Sequence, residues 1–288
     1  MTTIEPTDAR APVRAGHRAG RVLLYAFLIA LLLVFALPLL WALSSSFKAR
    51  SDIFAYPPRL LPDPGTLDNY RGLLDGNPFW SWLLISTVVA VISTLASVLL
   101  CALAGFAFAK YRFRGKNLLF DIMFSSLAVP FAVIVVPLFI MIAKAHLTTP
   151  YFALVVPWVA PAFGIFMMRQ FTEQSIPDAL LDAARVDGCT EFGLFRRVVM
   201  PLLRPALGAL GVWSFLNSYN SLLWPLIVVS EPGDYTLPLG IQALFGATGR
   251  QYDLVLAGAV LAAVPSLIVF FVLRKQLLEG LTAGAVKS

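Results

Sequence analysis

Of the 288 residues, 59% are hydrophobic and only 13% are charged, with a mean hydropathy of +0.80. Soluble domains run at about 45–50% apolar and about 25% charged, so a soluble globular class is excluded. The formal net charge of +6 does not point to nucleic acid, because the basic residues sit beside apolar runs rather than in one patch. What remains is an all-α, polytopic integral membrane protein, for which one membrane domain is the simplest organisation.

In chain order, residues 1–21 are polar, rich in Arg and Ala, and read as a disordered N-terminal tail. The apolar run at 22–43 exceeds the about 7–15 residues of a signal-peptide core and lacks an A-x-A site, so it reads as a retained first span. Residues 44–80 contain Pro57, Pro58, Pro62, Pro64 and Pro78 and read as a polar loop too broken for a helix of any length. A second span is expected at 82–109, where Ala90, Ser93, Ala96, Ser97, Cys101, Ala104 and Gly105 recur three or four positions apart. Small residues at that spacing let helices approach closely in lipid. Further spans are expected at 118–142, 151–168, 206–229 and 255–273, each near the roughly 20 residues that cross the hydrocarbon core, followed by a C-terminal tail at 275–288. Pro130, Pro137 and Pro265 mark places where these spans can kink.

Between the fourth and fifth spans lies the polar insert 175–205, SIPDALLDAARVDGCTEFGLFRRVVMPLLRP. Pro177 suits a first helical position and Asp178 the first turn, where a helix dipole favours negative charge. Gly188 supplies a C-terminal stop, Thr190 an N-cap for a second helix, and Pro201 its end. In the first short helix Ala179, Ala183 and Val186 share a face, while Asp178, Asp182, Arg185 and Asp187 carry charge around the rest. An amphipathic helix this short gains stability only by packing on something. A connector lying on the lipid surface is one reading; the three aspartates suit an anionic surface poorly and favour a protein partner.

With the N-terminus inside, sixteen of the 22 Lys and Arg fall on the inner side, including every basic residue of the tail, of the loop at 110–116 and of the insert. Both termini and the insert are therefore expected in the cytoplasm. Asp121, near the start of the third span, reads as a membrane-edge residue paired with that basic loop. Cys101 lies in a span and Cys189 in the insert, so no structural disulfide is expected. His17 and His146 lack neighbours at metal-ligand spacing and read as solvated loop residues, with no metal site.

Residues 182–205 of the insert resemble the EAA loop of inner-membrane permease subunits of binding-protein-dependent ABC importers. Ala183, Ala184, Asp187, Gly188, Phe195, Val198, Pro201 and Pro205 match that pattern; Asp182 replaces its Glu, Cys189 its Ala and Met200 its Leu. Asp182 is one methylene shorter, so an ion pair made by Glu in relatives is not assumed here. FKARSDIFAYPPRLLPDPGTLDNYRGLL after the first span, the YRFRGK loop and the C-terminal LEGLTAGAVK are similar to the second permease subunit of maltose-type sugar importers. The resemblance implies a bacterial inner-membrane location, a homologous second permease subunit, two cytoplasmic ATPase subunits that bind ATP and Mg, and an extracytoplasmic solute-binding protein. It also implies that Asp182, Ala183, Ala184, Asp187, Gly188, Phe195 and Pro201 form a coupling helix region seated on an ATPase.

The chain lacks a G-x-x-x-x-G-K-[ST] phosphate loop: Gly115-Lys116 is followed by Asn117, and Lys110 stands where the first glycine belongs. It also lacks a catalytic constellation such as H-E-x-x-H or a Gly-x-Ser-x-Gly elbow, so it is read as a transport subunit rather than an enzyme, with no cofactor of its own. Solute contacts are expected in the fifth span, where Asn217, Asn220 and Ser221 lie with Tyr219 and Trp224; amides, hydroxyls and aromatic faces together suit a mono- or oligosaccharide. Interhelical hydrogen bonding is the alternative role for these groups. Two rival functions are import of a glycerol-phosphate-like solute by the same architecture, and ion-coupled secondary transport, which the scarcity of ionisable residues within the spans disfavours.

Overall fold

A computed structural model describes residues 14–246 and 251–283, with side chains described over 20–246 and 251–276. Its helices are α1 (Arg14–Ser45), α2 (Asp68–Gly76), α3 (Phe79–Lys110), α4 (Lys116–Ser125), α5 (Phe131–Lys144), α6 (Pro150–Val155) and α7 (Ala162–Ser175). The remainder are α8 (Asp178–Val186), α9 (Glu191–Leu194), α10 (Met200–Leu202), α11 (Arg204–Tyr219), α12 (Leu223–Val228), α13 (Leu237–Ala243) and α14 (Tyr252–Ala283). No strand occurs among the described residues.

Three segments, Gly20–Ser45, Phe79–Lys110 and Tyr252–Gln276, are each long and apolar enough to cross a bilayer. Three bent pairs bring the number to six if each counts as one span: Lys116–Ala128 with Phe131–Lys144 at 114°, Pro150–Trp158 with Ala162–Ser175 at 41°, and Glu191–Leu202 with Arg204–Tyr219 at 80°. The expected third span is therefore not a straight rod. Pro130 drives the preceding Val129 into extended backbone, φ −86° and ψ 119°, which ends the helix before it and starts another after it. The expected fifth span also breaks, because α11 ends at Tyr219 and α12 begins three residues after Asn220. Pro225 explains that break. It offers no N–H to the Ser221 carbonyl and its ring crowds that carbonyl, so it is tolerated only in the first turn of a new helix.

Two further expectations are corrected. Residues 14–21 are helical and continuous with the first span, so His17 stands in a helix rather than a loop; an Ala-containing stretch extends an existing helix without the cost of nucleating one. The first thirteen positions of the expected tail, and 284–288 of the C-terminal one, lie outside the described residues. Within 44–80, α2 forms where the five prolines are absent. Its Leu73 is buried against Gly258 of α14. The loop before α2 is tied down by polar bonds: Asn69 Nδ2 donates to the carbonyls of Ser46 and Lys48, both at 2.8 Å. Lys48 Nζ, itself buried, donates to the Arg59 carbonyl at 2.7 Å.

α3 is the central element, packing against α7 and α11, and α11 against α14. The expected small-residue stripe faces inward: Ala90, Ser93, Ser97, Cys101 and Gly105 are all buried. A Cβ on Gly105 would fall 2.6 Å from Met168 Cβ and 2.7 Å from the Arg169 backbone nitrogen, so α3 and α7 meet almost backbone to backbone. Ser97 and Ser214 hydroxyls share a 2.9 Å hydrogen bond between α3 and α11, the kind of interhelical polar contact that bilayers favour. By contrast, none of the most apolar stretch of α1 is buried within the chain, leaving it to lipid or another subunit.

Candidate functional site

The insert folds as expected in outline and differs in detail. Pro177 is the N-cap of α8, one position before the first helical residue. The helix ends in paired turn bonds: Gly188 N–H donates to the Arg185 carbonyl and Cys189 N–H to the Ala184 carbonyl, each at 3.0 Å. Gly188 has φ +80°, the left-handed conformation this stop requires and glycine adopts without a Cβ penalty. Thr190 Oγ1 then accepts from Gly193 N–H at 3.1 Å, capping α9. The second helix continues past the expected stop at Pro201 to Leu202, passing through a π-helical stretch, Phe195–Val199. Pro201 lacks the N–H that would bond four residues back, and a π turn just before it is one way a helix absorbs that defect.

The insert is sealed into the same apolar core as α3, α7 and α11. Leu181, Leu194, Phe195 and Val199 are buried together with Phe106, Met168 and Leu203. Phe195 of the expected coupling region is internal: its ring lies 5.8 Å from that of Phe106 on α3. Ala184 is half-buried. Asp182, Ala183, Asp187, Gly188 and Pro201 are exposed, and no heavy atom lies within 4 Å of the Cβ position of Gly188. The shared face of Ala179, Ala183 and Val186 points outward, opposite Leu181, with Val186 88% exposed; Phe192 on α9 is 68% exposed. Two bare apolar side chains thus stand on a short helical pair that is itself immobilised.

Charged contacts hold that pair. Arg185 Nε donates to Glu191 Oε1 at 2.9 Å and Arg185 Nη1 to Asp182 Oδ1 at 2.9 Å, so one guanidinium spans the Gly188 turn. Glu191 also accepts from the Tyr111 hydroxyl, just past the end of α3. Lys110 Nζ, the last residue of α3, meets Asp178 Oδ1 at 2.7 Å. The Lys110 bond holds Asp178 below the usual carboxylate range. Arg185, and then Tyr111, do the same for Glu191, while burial followed by the Glu191 carboxylate raises the Tyr111 hydroxyl. Asp121 is exposed and forms no ion pair among the described residues, so its expected pairing with the basic loop is not present.

The fifth-span residues divide into two groups. Asn217 and Asn220 are exposed, and their amide groups donate back to the carbonyls of Trp213 at 2.8 Å and Leu216 at 2.9 Å. Ser221 is half-buried and lies beyond the end of α11. Tyr219 and Trp224 are internal. The Tyr219 hydroxyl donates to the Ala262 carbonyl of α14 at 3.2 Å, and Trp224, fully buried, donates its indole N–H to the Ala153 carbonyl of α6 at 2.8 Å. Both aromatics therefore brace helices and have no face for a solute.

Lys110, Tyr111, Glu191 and Leu181 were not singled out by the sequence. Lys110 and Tyr111 meet their partners across 68 and 80 residues, a separation at which no local spacing rule applies. Leu181 had a readable signal, since it lies opposite the small-residue face of its helix.

The architecture defines a class: an all-helical membrane protein whose short helices α8 and α9 pack on the core while leaving Val186 and Phe192 exposed. The chain belongs to the family of binding-protein-dependent transport system inner membrane components, which matches residues 97–277. It is 35% identical over 270 residues to the arabinooligosaccharides transport system permease protein AraQ of Bacillus subtilis (strain 168), covering 93% of this chain and 96% of that relative. It is 30% identical over 276 residues to the diacetylchitobiose uptake system permease protein DasC of Streptomyces coelicolor, covering 93% and 98%. In fold it is similar to a bacterial ABC transporter chain involved in the import of the acidic polysaccharide alginate, with a TM-score of 0.77 at 20% identity, covering 95% of this chain and 99% of that one.

Proposed function

We propose that this chain is one permease subunit of an ATP-driven ABC importer. It forms half of the transmembrane pathway for a mono- or oligosaccharide delivered by an extracytoplasmic solute-binding protein, and the 175–205 insert docks on a cytoplasmic ATPase. Near-complete coverage by a permease named for arabinooligosaccharide transport carries this reading. A second homologous permease and two ATPase subunits complete the assembly, and ATP and Mg belong to those ATPases. The exposed Val186 and Phe192 support the docking role, because apolar side chains on an otherwise charged, anchored insert gain by burial against protein. Asn217 near the end of α11 and Asn220 at its C-cap are exposed and are the groups we assign to contact with a passing sugar.

The test is reconstitution of the chain with its second permease, ATPases and binding protein in liposomes, with arabinotriose as the probe. Arabinotriose uptake and ATP hydrolysis that rise together, and that Phe192→Asp abolishes along with ATPase capture, are the expected result. An ion gradient driving uptake through this chain alone would overturn the reading.

A further inference from the structure

The end of α3 touches both helices of the insert, at two chemically different points. Lys110 Nζ reaches Asp178, the first residue of α8, at 2.7 Å, and the Lys110 side chain is only 9% exposed, so its stem is held by packing. Tyr111, the next residue, donates its hydroxyl to Glu191, the first residue of α9. The Tyr111 ring stands edge-on to Phe106 at 5.3 Å, and Phe106 in turn meets Phe195. Its backbone carbonyl accepts from Lys116 Nζ at 3.1 Å. The two insert helices are also bound to each other, by Arg185 and Glu191 across the Gly188 turn. Glycine turns are natural hinges, but this one is bridged, so α8 and α9 move together or the ion pair must break.

Beyond these contacts α3 runs into the membrane without interruption, while the segments at 116–144 and 150–175 are bent by 114° and 41°. It is locked to α7 where Gly105 leaves no room for even a methyl group, and to α11 by the Ser97–Ser214 bond. A displacement of the insert therefore meets one straight helix, at two fixed points, that carries its neighbours with it.

We propose that Lys110 and Tyr111 are positioning residues for energy transfer: a two-point grip through which movement of the 178–195 insert is delivered to α3 and thence to the pathway helices. The proposal rests on the docking role proposed above. Leu181, Leu194 and Phe195 hold the insert in place by burial, and that apolar contact can slide. The two polar grips fix direction, because a hydrogen bond or ion pair has an orientation that apolar packing lacks.

The grip is tested in the complex assembled with its ATPase subunits, using ATP and orthovanadate to close the ATPases, so that no solute is needed. Hydrogen exchange is followed in two regions, the insert at 178–195 and the outer end of α3 at 79–86. In the unaltered complex both regions change when ATP and vanadate are added. In Lys110→Glu, and in the milder Tyr111→Phe, which keeps the ring packing and removes only the donor, the insert still responds while the change at 79–86 falls about fivefold, the lower end of ordinary coupling energies. Reversing the pair as Lys110→Glu with Asp178→Lys restores the response at 79–86. An undiminished change at 79–86 in both single variants would overturn the proposal, as would a reversed pair no better than Lys110→Glu alone. Failure of the unaltered chain to capture ATPase subunits would instead overturn the docking role, and the grip with it.

Discussion

At the residue scale, Gly188 is the position where a left-handed backbone meets the proposed docking face. Its φ of +80° is strained for a residue with a branched Cβ by about 1–2 kcal/mol, yet a Cβ there meets no atom of the chain. Gly188→Asn, which tolerates the left-handed region, should fold with near-unaltered thermal stability and still weaken ATPase capture, because it adds bulk to the docking face. Gly188→Val should lose both. Melting temperature in detergent and pull-down of the ATPase measure the two effects separately. Asp178 and Glu191 carry a pH signature. Both are held below the ordinary carboxylate range, Asp178 chiefly by Lys110 with Arg112 and Arg185 nearby, and Glu191 chiefly by Arg185. A depressed carboxylate stabilises the folded state above its unfolded pKa of about 4 and loses that contribution as pH falls toward its folded value. Hydrogen-exchange protection of 178–195 should thus be full at neutral pH and decline only in acid. The Asp178→Asn, Glu191→Gln double variant should be less protected at neutral pH and lack that decline.

At the element scale, the insert is anchored through Leu181, buried among Leu194, Phe195 and Ile176. Leu181→Ala should destabilise α8 by about 2–5 kcal/mol, the usual range for a large-to-small change in a core, read as proteolytic cleavage within 178–187 that the unaltered protein resists. Gly105→Ala tests the α3–α7 contact. Its methyl would lie under 3 Å from Met168 and from backbone of Arg169, so the helices must separate, at a cost of about 1–3 kcal/mol; a lower melting temperature with an intact insert is expected. Element identity was readable where local chemistry decides it: the Thr190 cap, the Gly188 stop and the inward small-residue stripe of α3 all follow from short-range spacing. Element shape was less so. Pro130 and Pro225 announce breaks, but the 114° bend between α4 and α5 depends on what packs at the corner. The helix α2 gives a weak local signal, because it is only nine residues long and sits in a segment dominated by Pro57, Pro58, Pro62, Pro64 and Pro78.

At the scale of the whole molecule, the basic residues predict a membrane orientation with the insert inside, opposite the loop 46–67. Cysteine labelling of intact cells measures this. A cysteine introduced at exposed Ser51 should react with an impermeant reagent from outside, and one at exposed Asp187 only after the membrane is permeabilised. The same scale explains the division among the expected solute residues. Asn217, Asn220, Ser221, Tyr219 and Trp224 are neighbours along the chain, yet the fold turns the two aromatics to α14 and α6 as braces and leaves the two asparagines exposed. Composition and hydropathy alone determined that this is an all-helical membrane protein, because continuous apolar runs of about 20 residues cross lipid as helices, which satisfy their backbone polar groups within the segment, and the insert's motif pointed to its family. Only the tertiary structure decided which face of that insert is free. Leu181 and Phe195 are as apolar as Val186 and Phe192, and which pair is buried depends on side chains of α3, α7 and α11 far away in sequence. The Lys110 and Tyr111 grips are tertiary for the same reason: each joins partners that no local rule connects.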